Sequence, residues 1–179
     1  MMTPVKNYNG IARTAHWVSA LIIIGMFSVG LWMVDLTYYS TWYHKAPHWH
    51  KSVGLLLAFL TIFRIIWKIK TPSPSIEGTA FEKKAAHSAH HFLYLDLLLI
   101  FISGYLISTE DGRPIEVFNW FNVPGAGQLF KHQADIAGMI HTYAAWALII
   151  TATVHALAAL KHHFIDKDNT LKKMIGVSK

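Results

Sequence analysis

The chain has no cysteine among its 179 residues. That absence excludes disulfides, thiolate-held metals, cysteine-ligated iron–sulfur clusters and haem attachment through C-x-x-C-H. Charge is also scarce: Asp, Glu, Lys and Arg make up 15% of the chain against 53% hydrophobic residues. The charges avoid four long stretches. Residues 14–34 and 136–160 hold none, residues 50–67 hold only Lys51 and Arg64, and residues 91–109 hold only Asp96. Each stretch approaches the ~20 residues that a hydrocarbon core requires. The pattern predicts an all-α integral membrane four-helix bundle, antiparallel and up-and-down, with helices roughly at 14–34, 50–68, 88–108 and 136–161 of one domain, 1–179.

The first run differs from a secretory signal, although Lys6 and Arg13 precede it. It is too long for an h-region, contains His16 and Trp17, and runs into Asp35 and aromatics instead of a small-residue cleavage site. It is expected to remain in the mature protein.

The net charge of +6 is distributed unevenly. Four helices put both termini and the segment 68–84 on one side, with Lys6, Arg13, Arg64, Lys68, Lys70, Lys83, Lys84, Lys161, Lys167, Lys172, Lys173 and Lys179. The other side has Lys45, Lys51, Arg113 and Lys131. Short cytoplasmic loops collect Lys and Arg, so both termini are expected in the cytoplasm. The basic balance reports topology and gives no reason to expect nucleic acid as a partner. Between the helices, Thr71-Pro-Ser-Pro74 reads as extended chain, because proline removes a donor and biases its predecessor away from helix. Asp111-Gly-Arg-Pro114 is a turn signal, and the aromatic stretch 118–121 suits the membrane interface.

Twelve histidines remain to be placed. His141 and His155 lie 14 residues apart on the last run, just under four helical turns or ~21 Å, on roughly one face. His16 begins the first run and His50 the second, so two levels result: His16 with His155, and His50 with His141. Facing helices can supply two axial imidazoles to a b-type haem, here necessarily non-covalent and histidine-held. The bland alternative is that each histidine hydrogen-bonds at a helix end. Ionisable groups inside a membrane are costly and tend to be functional, which favours ligation for four in two levels. Gly25, Gly30, Gly54, Gly104 and Gly138 could admit a flat macrocycle or merely let helices meet, and are neutral.

The other candidates stay open. His87 and His90 share a face with a spacing of three, so either could rival His16, or the cluster with His91 could be solvated. His44, His48 and His132 line an entrance or are simply exposed. His162 lies seven residues beyond His155 on nearly the same face, where a donor could hold a quinone carbonyl and pass a proton, or could snorkel to the surface. His163 points elsewhere and is expected to be exposed. Arg64 could bind haem propionates or snorkel. Asp96, a turn or two below the cytoplasmic interface, is a proton relay or, as preferred, a buried acid bonded to a neighbouring helix.

These segments resemble the bacterial cytochrome b561 family, small four-helix di-haem proteins of the inner membrane. The resemblance rests on Ile11-Ala-Arg-Thr-Ala-His-Trp17, on Trp49-His-Lys-Ser-Val-Gly54 running to Arg64 and the proline linker, and on Ala86-His-Ser-Ala-His90. Its most specific part runs from His141 through His155 to His162-His-Phe-Ile-Asp-Lys-Asp-Asn-Thr-Leu171. It implies two non-covalent b haems, liganded by His16 with His155 and by His50 with His141. The chain is similar, too, to the cytochrome subunits of formate dehydrogenases and nickel hydrogenases, which carry paired histidines at this spacing. Some family members oxidise superoxide and reduce ubiquinone, and their quinone-contacting histidine corresponds to His162. Asp96 departs from the family pattern, and no family role passes to it.

The expected activity is transverse electron transfer: in at the His50/His141 level from the periplasm, across to the His16/His155 level, and out to ubiquinone near His162. An oxidoreductase taking superoxide would gain from a positive funnel. Lys51, with His44, His48 and Lys131, could form one and makes Lys51 a candidate catalytic residue. Against it, the four periplasmic cations meet Asp35, Glu110, Asp111, Glu116 and Asp135, with no positive excess. A second reading makes the chain the anchor of a larger dehydrogenase or hydrogenase complex, with the 118–121 stretch docking a redox protein. A third is a haem-free transporter or metal-binding protein with histidine ligands. The lack of broken helices or repeated halves counts against transport.

Overall fold

The computed structural model describes residues 5–177, so Lys179 lies outside the described residues. Four helices are long and apolar enough to cross a membrane: α1 (Gly10–Val34), α2 (Lys45–Lys70), α3 (Ala80–Thr109) and α4 (Gln133–Phe164). A short strand pair, β1 (Ile115–Val117) and β2 (Phe121–Val123), lies between α3 and α4, and a one-and-a-half-turn helix, α5 (Thr170–Ile175), follows them. The helix directions alternate. The end that carries α5 and both termini is the terminal end, and the other is the hairpin end.

Each long helix outruns its apolar stretch, because hydropathy marks the greasy part of a helix and capping marks its start. α3 begins at Ala80, well before the expected 88, since Thr79 and Glu82 form a reciprocal capping box that satisfies two orphan donors. In α1 the Asn9 side chain accepts from the Ala12 N–H at 2.8 Å and also from the Trp67 indole at 3.1 Å, tying α1 to the end of α2. Polar side chains inside the helices are satisfied locally. Ser19, Thr61, Ser103 and Thr109 donate to carbonyls four residues back at 2.7–2.9 Å, as an apolar solvent demands.

The helices form two close antiparallel pairs, α1 with α2 and α3 with α4, and the pairs touch each other only sparsely. The core between them is thin and made of small or single apolar residues such as Ala15, Leu57, Leu97, Ala144 and Leu148. The outer surface stays apolar, with Leu21, Leu95 and Ile150 more than half exposed, as lipid-facing residues are.

The aromatic stretch 118–121 carries the turn between β1 and β2. Phe118 and Asn119 both take positive φ, 47° and 61°, and the Trp120 N–H donates to the Val117 carbonyl at 2.8 Å, so the stretch turns a hairpin. Ile115 and Val117 are buried beneath it, and the Ser52 hydroxyl receives the Phe118 N–H at 3.1 Å, which lays the hairpin on the start of α2. At the terminal end, α5 is held by Lys173, which donates to Ser75 O at 2.8 Å and pairs with Glu77 at 2.6 Å. Arg13 donates to Ile175 O at 2.7 Å and so caps it.

Candidate functional site

The histidines lie where the pairs of helices face each other. At the terminal end the His16 and His155 rings have centroids 6.5 Å apart, and toward the hairpin end those of His50 and His141 are 6.3 Å apart. Two imidazoles that bind one metal ion from opposite sides have a spacing fixed by bond lengths. Two metal–nitrogen bonds of ~2.0 Å plus about 1.1 Å from each nitrogen to its ring centre give roughly 6.2 Å. Both pairs could bracket an iron ion. His90 also reaches this level, but its centroid is 5.2 Å from that of His155, too near for an ion to sit between them. His87 is exposed, and its carbonyl receives the His91 ring nitrogen at 2.8 Å.

The surroundings orient the rings. His141 Nδ1 lies 3.0 Å from the Ile100 carbonyl, an acceptor only, so Nδ1 carries the proton and Nε2 keeps its lone pair for a metal. Ser103 Oγ supports the same nitrogen at 3.2 Å. Gly104 permits this approach: a Cβ there would sit 3.1 Å from His141 Cε1. His50 Nδ1 is buried without a hydrogen-bond partner. Arg64 Nη2 lies 3.4 Å from His16 Nδ1, and its guanidinium stands 5.7 Å over the Tyr94 ring, beside Lys68 at 5.4 Å. Two cations therefore flank the His16 level.

His162 is not a surface residue. Its side chain is 12% exposed, its Nδ1–H donates to Asp168 Oδ2 at 2.6 Å, and Asp166 lies at 3.1 Å. Asp168 in turn accepts the Thr170 N–H at 2.8 Å. Burial raises the Asp168 carboxyl, but the Thr170 donors and His162 outweigh it and leave the pKa below the ordinary 3.8. Lys161 joins Glu82 and Asp166 at 2.6 and 2.7 Å, next to the same histidine. His163 is half-buried with its Nδ1 unpartnered, contrary to the exposure expected, and its ring stands edge-on to that of Phe164 at 4.8 Å.

Lys51 is half-buried beside Asp111. Arg113 first, and Lys51 more weakly, hold that exposed carboxyl below its usual value. Lys131 lines a shallow open cavity with Glu110, Gln128, His132, Ala134 and Asp135, so acids neighbour its charge. His44 is exposed and His48 half-buried. Asp96 is 6% exposed, and its Oδ2 has no hydrogen-bond partner. The expected bond to a neighbouring helix is not made.

Sequence reading missed the role of Asp168 and left Gly104 neutral among five glycines. Asp168 lies past the helix end, where helical spacing says nothing about who meets whom, and Gly104 looked like any other small residue of a membrane helix.

An antiparallel set of four spanning helices, with facing histidines at two levels and apolar residues outward, defines a multi-pass membrane protein. The family model for prokaryotic cytochrome b561 matches residues 7–177, and the chain belongs to that family. It is 49% identical over 175 residues to "Cytochrome b561 homolog 2" of Escherichia coli (strain K12), covering 97% of this chain and 93% of that one. It is 30% identical over 173 residues to "Probable superoxide oxidase CybB" of Yersinia pestis, covering 95% and 96%. It is 28% identical over 179 residues to "Cytochrome b562" of Cereibacter sphaeroides, covering 97% and 98%. Membership makes it a membrane electron-transfer protein that uses haem b.

Proposed function

We propose that this protein carries electrons across the bacterial inner membrane through two b haems, from a periplasmic donor to ubiquinone, with both termini in the cytoplasm. The observation that carries the reading is the pair of histidine spacings, 6.5 Å and 6.3 Å, each near the roughly 6.2 Å that two imidazoles sharing one metal ion would have. The ligands are His16 with His155 and His50 with His141. The haems, when bound, supply one-electron chemistry at iron, and the chain supplies ligands, dryness and protons. Arg64 and Lys68 offer cations to the propionates at the inner level.

The orientation is supported by the charge asymmetry, with eleven Lys and Arg at the terminal end among the described residues against four at the other. Quinone reduction consumes two electrons and two protons, so the exit needs a proton donor. His162 fills that role two turns beyond His155, with Asp168 holding its ring and the cytoplasm refilling it. Superoxide is the donor this reading adopts, supported by the name of the Yersinia relative. Lys51, adjacent in sequence to His50, is the cation that would attract it.

The test is the haem content and dithionite-reduced optical spectrum of the purified protein, followed by rapid mixing with superoxide. Two b haems per chain, reduced by superoxide more slowly in Lys51→Ala, are expected. One haem or none removes the ligand assignment, and equal rates with and without Lys51 remove its role.

A further inference from the structure

Asp96 has no place in the electron path described so far, yet a carboxyl in the middle of a membrane bundle is costly. Its depth follows from the α3–α4 register. Ile100 of α3 meets His141 of α4, and His90 of α3 meets His155, so Asp96 stands between those two contacts. It is near the level of Leu148, seven residues from each ligand histidine of α4. That is deeper than a position just below the interface. The side chain is 6% exposed, with Oδ2 enclosed and unpartnered. No charged side chain stands at its level. Tyr94, two residues before it on α3, is the nearest titratable group in sequence, and the others that bear on it are His141 and His155 on α4, His50 and Arg64 on α2, His16 on α1 and His90 on α3, each displaced toward one end or the other.

An acid in that position answers chiefly to the charge of what lies above and below it. In a low-dielectric interior a carboxylate needs compensating positive charge nearby, and without it takes a proton. Neutral imidazole ligands leave a ferric b haem with one net positive charge at its centre, which reduction removes. Asp96 therefore has compensation on both sides when the two sites are oxidised and loses it when they are reduced.

We propose that Asp96 is a redox-linked proton site between the two haem levels. It takes one proton from solvent at a carboxylate oxygen as electrons arrive from the periplasmic donor, forming an O–H bond, and returns that proton to solvent as the electrons pass to quinone. The inference rests on the ligand assignment above. It gives the bundle interior a second task, keeping net charge nearly constant while electrons cross.

The experiment is potentiometric titration of the haem-loaded protein at several pH values, with redox-difference infrared spectra of the same samples. In the wild type the midpoint potentials fall as pH rises, since reduction takes up a proton, and reduction produces the carbonyl band of a protonated carboxyl. Asp96→Asn flattens that dependence and removes the band, whereas Asp96→Glu keeps the dependence and shifts the band. A wild-type spectrum without the band overturns the proposal even if the Asn variant does not fold, as does an Asn variant with the wild-type pH dependence. Wild-type protein without haem would instead overturn the ligand assignment itself.

Discussion

Asp168 Oδ2 stands 2.6 Å from His162 Nδ1, across the bend that follows the last spanning helix. The contact fixes the proton on one nitrogen of the ring and presents the other in a defined direction. A proton donor works only if it is aimed, so Asp168→Asn is expected to slow quinol formation by about a hundredfold, the low end of what a positioned acid or base contributes. Reduction of the haems by an artificial donor should be unchanged. The measurement is quinol formation beside haem reduction in the same stopped-flow record, and equal slowing of both would mean that Asp168 only supports the fold.

His90 is nearer to His155 than His16 is, at 5.2 Å against 6.5 Å, and proximity alone would favour it as the partner. Ligation favours the longer spacing, because the iron and two bonds must fit between the rings. His16→Ala and His155→Ala should therefore each lower haem content from two per chain to one, while His90→Ala keeps both. Pyridine haemochrome analysis of the three purified variants decides this. Loss of a haem from His90→Ala with retention in His16→Ala would exchange the two roles.

Gly104 and Gly25 look alike in sequence and differ in what surrounds them. A Cβ on Gly104 meets His141 Cε1 at 3.1 Å and Nδ1 at 3.3 Å, whereas one on Gly25 meets nothing within 4 Å. The His141 ring is also tied to Ile100 and Ser103, so it cannot yield freely. Gly104→Ala should cost about 1–3 kcal/mol, the usual range for overpacking. It should also shift the midpoint potential of the His50/His141 haem, with Gly25→Ala as the silent control. Thermal unfolding in detergent and potentiometry give the two readings.

Much of this arrangement could be read from the chain, and the reasons differ by element. The meeting of His16 with His155 and of His50 with His141 follows from counting residues along antiparallel helices, because helical rise converts sequence position into depth. Helix ends were less legible, since the apolar run of α3 begins at His91 while its capping box lies back at Thr79 and Glu82. The hairpin was missed because its turn is made by Phe118 and Asn119 at positive φ, where no glycine advertises the bend. Asp168 was missed because its meeting with His162 depends on a left-handed residue, Lys167 at φ 58°, that no periodicity predicts. The missing partner of Asp96 could not be foreseen, since an absent hydrogen bond is a property of the neighbouring helix face.

The cover of the terminal end carries its own pH dependence. Glu77, in the linker between α2 and α3, pairs with Lys173 of α5 at 2.6 Å and accepts the Asn169 N–H at 3.3 Å. The hydrogen bond from Lys173 is the main cause that holds its carboxyl below the ordinary 4.5, against a smaller opposing effect of burial. A carboxyl lowered on folding stabilises the folded form above its unfolded pKa. That stabilisation is lost as pH falls from about the unfolded value through the lowered one. The pair is partly solvated, so its contribution is roughly 1 kcal/mol at most. Acidification below the ordinary carboxylate range should thus loosen α5 while the four spanning helices persist. Glu77→Gln should loosen α5 already at neutral pH and leave it with less further change on acidification. Hydrogen exchange of the 170–175 amides in detergent reports the docking directly. Equal acid sensitivity in wild type and Glu77→Gln would assign the effect to Asp168 instead.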